Sequence, residues 1–155
     1  MLADVLAHQE LASIVSSPLL RARETAEPIG LRTGLPVEIG ERLIDREYGP
    51  WAGKSKDEVA ARWGSVDNAP EIEPTQAVVD RPVAALAEAC DRSSGGAVLV
   101  VSHDAVNSVV LPIFDARLDD VGTIPQDTVC FNVIERRDAR WSVRSVNNAP
   151  AGHDL

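Results

Sequence analysis

The chain has few cysteines and no long apolar run. Only two cysteines occur among its 155 residues, Cys90 and Cys130, and they lie too far apart to form a ligand-type cluster, which predicts reduced, buried thiols. No apolar stretch approaches the length of a membrane span. The first residues also lack the basic and apolar regions of a signal peptide. These absences predict a cytoplasmic protein with no membrane partner.

Positive charge is scarce as well. The sequence carries 15 Lys and Arg against 24 Asp and Glu, a formal net charge of −9 at pH 7. Proteins that bind nucleic acid present a basic face, so this balance argues against a nucleic-acid partner. It does not exclude a phosphorylated small molecule, because a pocket can be locally basic inside an acidic protein. No cluster of metal-ligand residues is visible, and we predict neither a metal nor a cofactor.

What the sequence does contain is an alternation of strand-like and helix-like segments. The length fits one domain, and the apolar content of 45% is enough for a core. The patterns predict helices near 2–12, 18–34, 55–63, 75–92 and 104–114, and strands near 14–15, 36–39, 98–101, 128–135 and 141–146. The alternation predicts a single α/β domain over residues 1–155, with helices on both faces of a sheet.

A candidate anion site lies where the first predicted strand turns into a helix. Ser17 is predicted to be the N-cap, because its hydroxyl can accept a hydrogen bond from a free backbone N–H, and Pro18 suits the next position. Arg21 would then lie near the positive end of the helix dipole, where its guanidinium matches phosphate oxygens. Alternatively, Arg21 pairs with Glu24 or Glu27 on a solvated helix face. The segment alone does not decide between these readings.

Two further segments hold groups capable of chemistry. His103 follows an apolar strand, at the carboxyl end where open α/β sheets bind ligands. Asp45 and Glu47 lie in a loop with aromatic residues, where exclusion of water would help a carboxyl group to deliver a proton. The alternative for this loop is a solvated run of charges. His8 and His153 lack a comparable context and are predicted to be surface residues.

Together the three segments resemble the histidine phosphatase superfamily, which includes the cofactor-dependent phosphoglycerate mutases. The resemblance covers nearly the whole chain and implies a phosphoglycerate mutase-like fold with a mostly parallel sheet. Four stretches of the sequence carry it: Ser17 to Ala26 resembles the family's Ser-Pro-Leu-x-Arg-Ala-x-x-Thr-Ala, Val100 to His103 its second-histidine motif, Leu43 to Gly53 its acid/base loop, and Trp141 to Asn147 its last strand.

The resemblance implies hydrolysis of a phosphomonoester through a phosphohistidine. In the family, a histidine of an N-terminal Arg-His-Gly motif attacks phosphorus and an acidic residue protonates the leaving oxygen. Two arginines and the second histidine bind the phosphoryl oxygens. Carried over to this chain, Arg21, His103 and Ser17 would bind substrate. Asp45, where the family usually has glutamate, would be the acid/base, so that Asp45 and His103 form the catalytic set.

The sequence departs from the family pattern at the nucleophile. Arg-His-Gly occurs nowhere in the 155 residues, and His8 falls in a predicted helix. In the family, the missing segment is a central strand beside the one that ends in His103, and its loss would leave an unpaired edge. We therefore expect an N-terminally truncated member, with the first strand absent, that is inactive or nearly so alone. A phosphate-binding pseudoenzyme, a mutase-type phosphotransferase and a strand supplied by another chain remain alternatives, and a homodimer is left open.

A second departure follows the histidine directly. Asp104 and Ala105 stand where the family usually has glycines. A carboxylate at this position would repel a phosphate unless it turned away. We expect Asp104 to cap the following helix, because a negative charge is favourable in a first helical turn.

Overall fold

Helices and strands alternate along the chain as the sequence predicts. The computed structural model describes residues 2–93, 95–121, 124–138 and 140–150. The helices are α1 (Leu2–Ala7), α2 (Leu20–Thr33), α3 (Lys56–Trp63), α4 (Thr75–Arg92) and α5 (Asp104–Phe114). The strands are β1 (Leu11–Ser16), β2 (Val37–Ile39), β3 (Ala97–Val101), β4 (Phe131–Arg137) and β5 (Arg140–Asn148). The fold class is therefore mixed α/β, as expected.

Strand β1 lies in the middle of a parallel sheet with the order β2-β1-β3. Successive side chains of β1 point to opposite faces. Ile14 packs in a hydrophobic cluster with α1 and α2, whereas Val15 packs in a cluster with Ala89 of α4. The sheet is thus covered by helices on both faces. Because Ser16 pairs with Val101, the carboxyl ends of β1 and β3 lie side by side.

Strands β4 and β5 form an antiparallel hairpin that, in the described part of the chain, shares no ladder with the three-stranded sheet. Helix α4 contacts both pieces. Its residue Ala89 belongs to the same cluster as Val100 of β3, and its Asp91 pairs with Arg136 of β4 at 2.6 Å. The apolar run of β3 is covered on both faces, as predicted, but its residues are only partly buried because one edge of the strand lacks a described neighbour.

The largest hydrophobic cluster joins α4, α5 and β5. Phe114 stacks on Trp141 with ring centroids 4.5 Å apart, so two of the few aromatic residues meet in one contact. The buried members of the cluster are Val78, Val106, Val110, Leu111, Phe114, Ile124 and Val143. This packing fixes α5, and with it the strand-to-helix turn that carries His103.

Cys90 and Cys130 are partly buried free thiols, and burial raises the pKa of each.

Several element boundaries confirm the sequence predictions. Helices α4 and α5 begin and end where the patterns place them. Ser55 caps α3 and forms a capping box with Glu58. Gly34 ends α2 in the left-handed conformation, with φ of 74°, and its N–H donates to Gly30 O.

Two boundaries near the candidate anion site differ from the predictions. Helix α1 ends at Ala7, and β1 already begins at Leu11, so the predicted helix over 2–12 is too long. Ser17 is not an N-cap, because α2 begins at Leu20 after an extended Leu19. The reason is tertiary: the Ser17 N–H donates to Val101 O at 2.9 Å, which continues the β1–β3 pairing beyond the strand.

Candidate active site

Four predicted site residues meet beyond the carboxyl ends of β1 and β3. The Arg21 guanidinium, in the first turn of α2, donates from Nη2 to Asp45 Oδ2 at 2.6 Å. His103 Nδ1 lies 3.6 Å from the same carboxylate oxygen. On the other side of the ring, His103 Nε2 lies 2.7 Å from Ser17 Oγ. Residues 86 positions apart in sequence are thus joined in one connected group.

His103 is the buried centre of this group. It is 7% exposed, and Ser17 is completely buried. Burial lowers the pKa of His103, the Asp45 carboxylate opposes this shift, and the cations Arg21 and Arg81 reinforce it. The imidazole is therefore held toward its neutral form. Ser102, the preceding residue, donates from its hydroxyl to Leu43 O at 3.0 Å. This bond connects the turn that carries His103 to the loop from Leu43 to Gly53, here called the acidic loop.

Arg21 faces the site and does not pair along its own helix. Arg23, two residues further on, forms the i,i+4 ion pair with Glu27 at 3.0 Å. The alternative of a helix-face ion pair for Arg21 is therefore wrong. The side chain of Arg21 is 62% exposed, and an ion pair this exposed contributes only about 0–1 kcal/mol. An anion that reaches the site can compete with Asp45 for this guanidinium.

Arg81 of α4 holds the acidic loop, which carries Asp45, through hydrogen bonds to its backbone. Its guanidinium donates to the backbone oxygens of Arg42 at 2.9 Å, Ile44 at 2.5 Å and Asp45 at 3.0 Å. It also donates to both carboxylate oxygens of Glu73, at 2.9 and 3.1 Å. The Arg81 hydrogen bonds lower the pKa of Glu73 and keep it ionised. One side chain thus holds three backbone oxygens of this segment in place.

Comparisons with known proteins identify the family. A model of the histidine phosphatase superfamily (branch 1) matches residues 1–149. The chain belongs to the histidine phosphatase superfamily. Its fold is also that of the solved structure of Bacillus stearothermophilus YhfR, with a TM-score of 0.83, 28% identity, and coverage of 96% of this chain and 79% of that one.

Two curated relatives are phosphatases by name. The uncharacterized phosphatase PhoE of Bacillus subtilis is 28% identical over 135 residues, which span 86% of this chain and 69% of that protein. The glucosyl-3-phosphoglycerate phosphatase of Mycolicibacterium vanbaalenii is 46% identical over 59 residues, which span 38% of this chain and 26% of that protein. The resemblance stated from the motifs is therefore confirmed at the level of the superfamily.

The loop expected to hold the acid/base of this superfamily member is ordered by its own charges. Arg46 is 9% exposed and pairs with Asp67 at 2.7 Å, while its Nε donates to Glu73 O. Glu47 accepts a hydrogen bond from Gly49 N at 3.0 Å. The alternative of a solvated charge run is therefore wrong. These side chains build the loop and leave the carboxylate of Asp45 to face Arg21.

Tyr48, Lys56 and Asp104 lie close together beside Asp45. Burial raises the pKa of Tyr48, and the nearby carboxylate of Asp45 adds to the shift. Lys56, at the start of α3, donates to Asp104 at 2.8 Å. Asp104 lies in the first turn of α5, as expected, but it does not cap the helix: His103 holds the N-cap position, and the Asp104 carboxylate accepts hydrogen bonds from the side chains of Lys56 and Ser108. Lys56 is a positively charged partner for the Asp104 carboxylate, whereas a backbone N–H at the helix end is uncharged.

The Arg-His-Gly segment, which is expected to carry the nucleophilic histidine, does not occur among the described residues. His8 follows the end of α1 as an exposed residue, and His153 lies outside the described ranges. No group of three His, Cys, Asp or Glu side chains suited to a metal ion occurs in the ranges that the structure covers. Within the same ranges, no helix has the length and hydropathy required to cross a bilayer.

Proposed function

We propose that the chain supplies the phosphate-binding and proton-donating part of a site that hydrolyses phosphomonoesters. The observation that carries the proposal is the convergence of Arg21 Nη2 and His103 Nδ1 on one anionic oxygen, Asp45 Oδ2, at 2.6 and 3.6 Å. A guanidinium and an imidazole that converge on a carboxylate oxygen are equally suited to a phosphoryl oxygen. The substrate class is a phosphorylated small molecule.

The three side chains share two tasks in this proposal. Arg21 and His103 hold the phosphoryl oxygens and stabilise the charge that develops on them in the transition state. Asp45 takes up a proton from solvent and delivers it to the leaving oxygen, a contribution of about 10²–10⁴ in rate. In the free protein Asp45 occupies Arg21, so the substrate first has to displace the carboxylate from the guanidinium. That exchange frees the Asp45 carboxylate from its cation, so that it can take up the proton that it delivers.

The nucleophile of the phosphohistidine pathway would come from outside these 155 residues. In that pathway a histidine nitrogen forms a bond to phosphorus as the bond to the leaving oxygen breaks, and water then cleaves the nitrogen–phosphorus bond. Two observations support an incomplete member of the superfamily: the sequence has no Arg-His-Gly, and β3 has an edge without a described strand partner. We propose that the isolated chain is inactive or nearly so.

The DNA upstream of the first codon tests where the nucleophile comes from. An in-frame stretch that encodes Arg-His-Gly would support a histidine and a strand supplied by the same polypeptide. An in-frame stop close to the first codon would refute this source.

Phosphate binding and turnover by the 155-residue chain test the site itself. We expect no hydrolysis of 4-nitrophenyl phosphate, and thermal stabilisation by inorganic phosphate that grows by about 1.4 kcal/mol per tenfold rise in concentration above Kd. Arg21→Ala should abolish the stabilisation. The control Arg23→Ala removes an exposed arginine two residues away that pairs with Glu27, and should leave the stabilisation intact.

Two results would contradict these proposals in different ways. Turnover that disappears in Arg21→Ala would show that the chain holds its own nucleophile. Absence of any phosphate effect on the wild-type protein would refute the anion site.

A second candidate function is phosphate binding without chemistry. It is favoured by the same combination of the Arg21–His103 pair at Asp45 Oδ2 and a missing nucleophile. A phosphatase remains preferred to a mutase, because the loop over 64–74 is short and offers little to exclude water from an intermediate. The test uses a chain extended by any upstream segment that encodes Arg-His-Gly. Binding of inorganic phosphate by this longer chain, without hydrolysis of 4-nitrophenyl phosphate, would favour the second function. Location in the cytoplasm and the absence of a nucleic-acid partner remain predictions.

A further inference from the structure

The hydroxyl of Ser17 contacts His103 and is closed to a ligand. Ser17 has no exposed surface, and its Oγ lies 2.7 Å from His103 Nε2. The same oxygen accepts a long hydrogen bond, 3.3 Å, from the backbone N–H of Leu19. The hydroxyl proton of Ser17 therefore either points to the imidazole nitrogen or makes no hydrogen bond to the other residues of this group. This geometry gives Ser17 a role that differs from direct contact with substrate.

The surroundings of the ring decide which of its nitrogens carries the proton. Nδ1 points toward Asp45 Oδ2 at 3.6 Å, and an ionised carboxylate only accepts hydrogen bonds. A lone pair on Nδ1 would face this negative oxygen, whereas an Nδ1–H is attracted to it. In a neutral ring the proton on Nδ1 leaves Nε2 as an acceptor, and Ser17 is the donor that reaches it.

We propose that Ser17 is a positioning residue that donates its hydroxyl proton to His103 Nε2 and thereby fixes the Nδ1–H tautomer. The ring then presents a donor to an anionic oxygen at the place that Asp45 Oδ2 occupies in the free protein. The identity of that anion as a phosphoryl group rests on the proposed function. The tautomer itself does not.

The charges that face His103 are compatible with a neutral ring. Asp45 comes from the acidic loop, Arg21 from α2 and Arg81 from α4. Burial opposes a positive imidazole most, the single carboxylate favours it, and the two cations oppose it, so the pKa of the ring is lowered on balance. At neutral pH the choice between tautomers, and not the overall charge, is therefore what Ser17 controls.

Ring-nitrogen NMR on the ¹⁵N-labelled 155-residue chain tests the assignment. The chain has three histidines, and His8→Gln and His153→Gln identify the signals of His103. We expect a protonated Nδ1 and an unprotonated Nε2 in the wild-type protein at neutral pH. Ser17→Ala should shift the ring to a mixture of tautomers or to Nε2–H, and Ser17→Thr should restore the wild-type pattern.

The matched control is Ser16→Ala. Ser16 is the adjacent residue, is equally buried, and donates its hydroxyl to Ser17 O at 3.0 Å without a bond to the ring. It should leave the tautomer unchanged. An Nε2–H tautomer in the wild-type protein, or an unchanged ring in Ser17→Ala, would overturn the proposal. If Ser17→Ala does not fold, the nearly isosteric and weaker donor in Ser17→Cys provides the same comparison.

Phosphate titration separates this inference from the proposed function. Ser17→Ala should weaken phosphate binding by about tenfold or more, because a charge-assisted hydrogen bond from Nδ1–H is lost. Ser16→Ala should bind as the wild-type protein does. Failure of the wild-type protein to bind phosphate, together with the expected tautomer, would refute the function and leave the role of Ser17 standing. Unchanged binding in Ser17→Ala would refute the role of Ser17 in the site.

Discussion

Replacement of Arg81 by methionine should destabilise the protein more than removal of any exposed arginine. The side chain is 17% exposed and makes hydrogen bonds to three backbone oxygens and to both oxygens of Glu73. Methionine fills a similar volume but donates none of them. The Glu73 carboxylate, itself mostly buried, then loses its charged partner.

The magnitude follows from the kind of bond that is lost. Breaking a buried ion pair by removal of one partner costs about 3–5 kcal/mol, and an exposed pair costs about 0–1 kcal/mol. Arg81 lies nearer to the buried case, so we expect a loss of about 3 kcal/mol in the free energy of unfolding. For a chain of this size each kcal/mol lowers Tm by about 2–4 °C, which corresponds to about 9 °C.

Urea and thermal unfolding followed by circular dichroism measure this loss. The control is Arg42→Met, which removes an exposed arginine whose ion pair with Glu88 lies on the surface, and should cost less than about 1 kcal/mol. The double variant Arg81→Met with Glu73→Gln should recover part of the loss, because it removes the unpaired carboxylate. A cost below about 1 kcal/mol for Arg81→Met would refute the view that this residue fastens the acidic loop.

Three further predictions concern pH and packing. The pKa of Glu73 is lowered from its ordinary 4.5, so its contribution to stability is complete above that value and is lost as the pH falls through the folded pKa. Glu73→Gln should flatten this part of the dependence of stability on pH, as measured by urea unfolding between about pH 2 and 5. The pKa of His103 is also lowered, from 6.5, so stability should begin to fall as the pH drops below that value, and His103→Gln should remove this loss in the same assay between about pH 5 and 7. Gly30→Ala would place a Cβ 2.8 Å from Leu35 O and 2.9 Å from Val37 Cγ2, so it should cost about 1–3 kcal/mol, and an unchanged Tm would contradict the close packing of α2 on β2.

The sequence alone determines most of the helices and the residue types of the site. Helical spacing fixes the bounds of α4 and α5, since an apolar stripe repeats along each helix regardless of what covers it. The capping box of Ser55 and the glycine end of α2 are equally local, because their hydrogen bonds join residues within one turn. Arg21 and His103 stand out for a related reason: each follows a strand pattern that predicts its place at the sheet edge.

Only the tertiary structure decides how these residues are used. Ser17 has the composition of a helix cap, but pairing of its N–H with β3 extends the strand past it and turns the hydroxyl toward His103. Arg81 gives no signal in the sequence, because it binds backbone oxygens, which every residue possesses. Both contacts join residues that are distant in the chain, and no local periodicity encodes them. The chemistry of the site can therefore be predicted from motifs, whereas the positions of its protons and of its acidic loop depend on the packing of β3 and α4.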